Sequence, residues 1–180
     1  MQFLNFLSEI GRLKEIKRSG WVKRNIKEAE SVSDHSFRTA LLAMLYSKAL
    51  GLNAEKCIKM ALIHDIHEVY TGDIILTRAN EKQKLKKELR AIKDLSKLLP
   101  KEEGKEILKL WEELHAARTN EAKLVRDLDK IEMLLQALEY KKSNRTKNSL
   151  QEFFDSTEKM LKTKKAKELF TGIKKEFDKI

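Results

Sequence analysis

Apolar residues recur at intervals of three and four almost from the start of the chain, and this period constrains the fold more than any other feature. Phe3, Phe6, Leu7, Ile10, Leu13 and Ile16 fall on one stripe of a helix, and that stripe must be covered by a partner. The same spacing returns in Ile58, Ala61, Leu62 and Ile66 and in Leu124, Leu128, Ile131, Leu135 and Leu138, while Phe37 to Leu50 is strongly apolar. Helix breakers are scarce, with 6 Gly and 1 Pro in 180 residues. An all-α, multi-helix bundle is therefore predicted, and the length suits one compact domain over residues 1–180.

Local signals predict where the helices lie. The first runs to about Lys17, and Arg18 to Asn25 reads as a structured loop around Gly20 and Trp21. Ser31-Val-Ser-Asp34 offers capping side chains to a second helix, which carries His35 in its first turn and ends near Gly51. A third opens at Asn53 and runs to about Thr71-Gly72-Asp73, carrying His64, Asp65 and Glu68 on one face. After a loop, helices are expected over Glu81 to Leu99, Lys101 to His115, Ala122 to Tyr140, Leu150 to Leu161 and Ala166 to Phe177.

Charge and cysteine usage narrow the function classes. The formal net charge is +10, but 12 Lys/Arg against 6 Asp/Glu fall in residues 141–180, with no aromatics interleaved in Lys162 to Lys167. That pattern reads as a solvated face rather than a nucleic-acid surface. The single Cys57, set among apolar residues, reads as a core residue, and a reducing cytoplasm is expected. No stretch approaches the roughly 20 apolar residues of a membrane span, and the N-terminal residues lack the pattern of an export signal.

Against this background a few polar groups stand out. His64-Asp65 places an imidazole and a carboxylate at the end of an apolar helix, and Glu68 follows one turn later, where it can address a metal's water. His35 and Asp129 are further polar groups set in apolar helices, each needing a partner. Taken singly, His35 reads as an inert, hydrogen-bonded histidine. Taken together, the four read as a metal site.

These residues resemble the HD-domain superfamily of metal-dependent phosphohydrolases, whose pattern is a His, a His-Asp doublet and an Asp on separate helices of an all-α bundle. The longer matches are Arg18-Ser-Gly-Trp21, Glu30-Ser-Val-Ser-Asp-His35, His64-Asp-Ile-His-Glu-Val-Tyr-Thr-Gly-Asp73 and Asp127-Leu-Asp-Lys-Ile-Glu132. They are similar to the 5′-deoxynucleotidase branch, which removes phosphate from deoxyribonucleoside 5′-monophosphates. The likeness covers the chain to about Tyr140, leaving the basic helices of 141–180 without a matched motif.

The resemblance implies His35, His64, Asp65 and Asp129 as metal ligands, Glu68 as catalytic acid/base and Arg18 as the phosphate clamp. It implies that Asp73 orients substrate, or joins Glu68 and the Ile74 carbonyl at a second divalent ion. Trp21 is expected at the sugar or base, with a core position as the rival reading. In some bacterial members the Trp directly follows the Arg and helps to reject the ribose 2′-hydroxyl. Here Ser19 and Gly20 intervene, so phosphatase activity is implied more directly than deoxy selectivity. Two imidazoles and two carboxylates leave positions open on a six-coordinate ion, which suits Mn²⁺, Co²⁺, Fe²⁺ or Ni²⁺ better than a structural Zn²⁺, with Mg²⁺ also compatible. A homodimer is expected.

Helical geometry sets His67, His115 and Asp127 apart from this cluster, at the surface or in supporting positions, with Asp127 facing solvent or a lysine such as Lys123 or Lys130. On the same site a nucleoside triphosphohydrolase or a cyclic-nucleotide phosphodiesterase remains open. From a different class, so does a non-catalytic basic helical module that binds nucleic acid or protein.

Overall fold

The computed structural model describes residues 2–75 and 81–180. Part of the loop expected before Glu81, residues 76–80, lies outside the described residues. The elements are α1 (Gln2–Gly11), a 3-10 turn (Arg12–Lys14), α2 (Ser19–Val22), α3 (Val32–Ala49), α4 (Ala54–Ile63), α5 (Glu68–Thr71) and α6 (Glu81–Ser96). They continue with α7 (Lys101–Ala116), α8 (Asn120–Lys142), α9 (Gln151–Glu158) and α10 (Lys164–Phe177). Among the described residues the only β pairing is an isolated bridge between Lys17 and Ser31.

The central element is α8, which packs on α3, α4, α7, α9 and α10. Its 23 residues bury apolar side chains on several sides, so a single stripe does not describe it. On one flank Ile131, Leu134 and Leu138 meet Trp21, Phe154, Phe170 and Phe177. On another, Leu124 and Leu128 meet Ala43, Cys57 and Met60. A third cluster gathers Leu13, Val32, Ile63, Ile92, Leu95 and Trp111 beneath the first turns of the chain.

Several predicted boundaries move. The first helix stops at Gly11, tightens through the 3-10 turn and gives way to the Lys17 bridge. The expected loop at Arg18 contains the single-turn helix α2. The third helix is not continuous: α4 ends at Ile63 with His64 as its C-cap, and residues 64–67 form a turn before α5. His64, Asp65 and Glu68 therefore leave a bent segment rather than one helical face. After α5 the chain reverses at Gly72, whose φ of 68° disfavours any residue with a Cβ.

Helix α3 buries its small residues, Ala40, Ala43 and Ser47, against α4 and α8 and turns larger ones outward, with Phe37 64% and Leu45 62% exposed. Leu62, expected to pack inward, is half exposed. Between α6 and α7 the backbones come close enough that a Cβ at Gly104 would lie 2.3 Å from the Ser96 carbonyl oxygen. Only glycine permits that approach.

Candidate active site

Four elements converge on one point. Ser31 caps α3 reciprocally with Asp34: the Asp34 backbone N–H donates to Ser31 Oγ at 3.1 Å, and the Ser31 N–H to Asp34 Oδ2 at 2.8 Å. This fixes the first turn of α3 and with it His35, which is fully buried. His64 is held by its own Nδ1, 2.6 Å from the Ala61 carbonyl one turn back. Asp65 follows in the turn, and Asp129 reaches across from α8.

His35 Nε2 lies 3.1 Å from His64 Nε2 and 3.1 Å from Asp129 Oδ1. His64 Nε2 lies 3.0 Å from Asp65 Oδ2, while the other two nitrogen–oxygen pairs, His35 to Asp65 and His64 to Asp129, are at 3.9 Å. The Nδ1 atom of His35 faces the Glu132 carboxylate, and that of His64 faces a carbonyl oxygen, so each is the donor nitrogen of its ring. Both Nε2 lone pairs then point at each other and at two carboxylate oxygens. Four electron-rich atoms so arranged require a positive charge between them, and their chemistry fits a divalent cation.

Proton affinities report the same demand. Burial and the Arg18 charge push the His35 pKa down, but hydrogen bonds to Asp129 and Glu132 outweigh them and carry it up to about 9. Burial disfavours ionised Asp65 and Asp129, yet the neighbouring imidazoles more than compensate and hold both below the usual carboxylate range. Arg18 is pushed down by burial but is kept firmly protonated by Asp65, whose Oδ2 is 3.2 Å from its Nη1.

Glu68, at the start of α5, behaves in the opposite way. Its side chain is buried, Oε2 has no hydrogen-bond partner, and burial together with the Asp65 and Asp73 charges pushes its pKa up to about 10. An orphaned carboxyl oxygen at the edge of such a cluster is expensive to maintain, and a group so placed is suited to proton transfer.

These groups border a cavity of about 550 Å³. Arg18, Asp65, Glu68, Asp73, Ile74 and Asp129 all line it. Trp21 lines it too, but is 1% exposed, with Nε1 donating to Glu30 at 2.8 Å and its ring against Tyr140 and Phe153. It is therefore part of the core as well as of the cavity wall. Asp73 accepts from the Ser19 backbone N–H at 2.6 Å, and its carbonyl accepts from Ser19 Oγ at 2.5 Å, which ties the Arg18 loop to the end of α5.

The cavity also takes residues that the sequence did not single out. Lys84 comes from α6, Met133 from α8, and Glu152, Phe153 and Ser156 from α9, within the part of the chain that carries no matched motif. Phe153 was findable only as an apolar residue of an amphipathic helix. Its ring lies 4.6 Å from that of Trp21. A larger hollow of about 850 Å³, bordered by Phe37, Leu41, Arg38 and Glu139, contains none of the four proposed ligands and none of the groups around Glu68.

Of the three residues set aside, His115 is exposed and stacks on Trp111. His67 is buried, with Nε2 3.4 Å from Glu88. Asp127 departs from expectation. It is 2% exposed and, instead of a lysine side chain, accepts from the backbone N–H groups of Lys162 and Thr163 and from Thr163 Oγ1 at 2.7 Å. Asp129 departs in the other sense: expected within the buried stripe, its side chain is 31% exposed and opens into the cavity.

The HD-domain family pattern matches residues 10–170. A mouse protein named 5′-deoxynucleotidase HDDC2 is 43% identical over 155 residues, covering 86% of this chain and 77% of its own length. Its Xenopus laevis namesake is 40% identical over 174 residues, covering 96% and 86%. Among solved structures, a conserved hypothetical protein from Pyrococcus furiosus is 34% identical with a TM-score of 0.77, covering 96% of this chain and 99% of its own.

Proposed function

The chain belongs to the HD-domain family, and from that premise we propose that it is a divalent-metal-dependent phosphatase acting on deoxyribonucleoside 5′-monophosphates. The observation that carries this reading is the convergence of His35, His64, Asp65 and Asp129 beside a buried Glu68 and a half-buried Arg18. The names of the relatives support the substrate class.

A divalent ion held by those four residues would supply Lewis acidity at the phosphate and lower the pKa of an attacking water. Arg18 binds the phosphate through its guanidinium, and Lys84 adds a second cation to the same cavity. Glu68 takes the proton of the attacking water and returns it to the departing 5′-oxygen, so that the P–O5′ bond breaks and the nucleoside leaves as an alcohol. Its carboxyl is a proton holder as it stands, and positive charge brought into the site favours the ionised form that accepts. Phe153 and Met133 form an apolar wall for sugar and base, with Trp21 behind Phe153.

Asp73 anchors the Arg18 loop through Ser19. Its remaining oxygen serves a substrate hydroxyl or, with Glu68 and the Ile74 carbonyl, a second ion. The mixed nitrogen and oxygen donor set favours Mn²⁺, Co²⁺, Fe²⁺ or Ni²⁺. Exposed Phe37, Leu41 and Leu45 on α3 support a homodimer, and the substrate class together with the buried thiol of Cys57 supports a cytoplasmic location.

Phosphate release from a panel of dNMP, NMP and dNTP substrates, with metal content measured on the same sample, tests this reading. Release from monophosphates with a transition-metal ion is expected, and no turnover with any divalent ion would overturn it.

A further inference from the structure

We propose that Glu132 is a positioning residue that sets the tautomer of His35, while Arg38 occupies its other oxygen; this rests on the reading of His35 as a metal ligand. Glu132 lies one turn beyond Asp129 on α8, and Arg38 lies one turn beyond His35 on α3. Two rungs therefore connect the same pair of helices. One is His35 with Asp129, at 3.1 Å, and the other is Arg38 with Glu132, at 2.8 Å.

The Glu132 carboxylate is wholly buried, and neither oxygen is spare. Oε2 meets His35 Nδ1, while Oε1 accepts from Arg38 Nε and Nη2. The guanidinium is clamped further along α8 by Gln136 Oε1 and Glu139 Oε1, both at 2.7 Å. A carboxylate can accept at both ends and so keeps the His35 proton on Nδ1, leaving the Nε2 lone pair facing the cluster. An amide cannot. If its oxygen faces Arg38, its NH₂ donates to Nδ1 and drives the imidazole proton to Nε2; if its oxygen faces His35, its NH₂ meets the guanidinium.

This conflict makes the role separable from simple helix bracing. In a chelator-competition titration with Co²⁺, Glu132→Gln should bind the ion about 10- to 100-fold more weakly than wild type. Adding Arg38→Met removes the competing donors and frees the amide oxygen for His35, so the double variant should recover much of that loss. Arg38→Met alone should stay close to wild type, because Glu132 still accepts from Nδ1.

Wild-type affinity in Glu132→Gln would overturn the proposal, and so would a double variant as weak as Glu132→Gln or weaker, which is the outcome for a bracing role. A measurement on wild type stands independently of how the variants fold. Long-range ¹H–¹⁵N spectra of the Zn²⁺-loaded protein should show the His35 proton on Nδ1, and a proton on Nε2 would overturn the assignment. Failure of wild type to bind any divalent ion would instead overturn the underlying reading, and this proposal with it.

Discussion

Asp127 and Asp129 leave α8 two residues apart and face opposite sides: Asp129 Oδ1 sits 3.1 Å from His35 Nε2, while Asp127 caps the segment that starts α10, taking the Thr163 N–H at 2.6 Å. The two carboxylates should therefore fail differently. Asp129→Asn is expected to lose most bound metal and nearly all phosphatase activity. Asp127→Asn should keep its metal, yet be less stable by about 1–3 kcal/mol, because an amide cannot accept from three donors as a buried carboxylate does. Metal analysis and thermal melting of both variants in chelator check this.

Replacing Glu68 by Gln keeps the shape and removes the proton acceptor. Metal and nucleotide binding should persist while turnover falls by roughly 10² or more. Activity near that of wild type would remove Glu68 from the proton path.

Arg18 is a cation beside Asp65, a proposed ligand. Arg18→Ala should raise KM and lower kcat together, since it deletes a charge-assisted clamp on the phosphate. Its metal content should be at least that of wild type, because a repelling charge has been taken away. Loss of metal in this variant would mean that Arg18 braces the fold around Asp65.

The wall supplied by α9 makes a separate prediction. Phe153→Ala should raise KM for nucleotides by about 3- to 10-fold, the scale of one lost aromatic contact, with little change in kcat. Phosphate esters that lack a base should be insensitive to the change. Equal effects on both substrate types would place Phe153 in the fold alone.

Glu88, paired with His67 and Lys84 rather than with a proposed metal ligand, gives a pH dependence of stability. Burial raises its pKa, but the hydrogen bond and charge of His67, with Lys84, outweigh burial and lower it below the ordinary 4.5. A depressed folded-state pKa contributes stability that is present above 4.5 and lost as pH falls through the folded value. Melting in chelator should show wild type more stable than Glu88→Gln near neutral pH, with the gap closing in acid. A gap that does not change with pH would show that packing, not charge, is at work.

What the sequence determined by itself was local. Spacing by threes and fours, few breakers and the Ser31 cap specify helices, because those preferences act over one or two turns. The residue types at His35, His64, Asp65, Glu68 and Asp129 were also legible, since imidazoles and carboxylates in apolar surroundings need partners wherever the chain goes. Tertiary packing decided the rest. The break after Ile63, which turns His64 and Asp65 toward residues on α3 and α8, is not written in the helical period. Nor is the exchange of expectation between Asp127 and Asp129, because burial on α8 depends on which neighbours cover each side, and α10 covers one that a single stripe would leave open. Glu132 closes the Asp127 to Glu132 match and Phe153 lies on an amphipathic helix, but nothing local marked the role of either, or of Lys84. Their roles arise from partners far away in sequence, as when Glu132 meets His35 across a separation of 97 residues, and only the packing of α3 on α8 brings those two together.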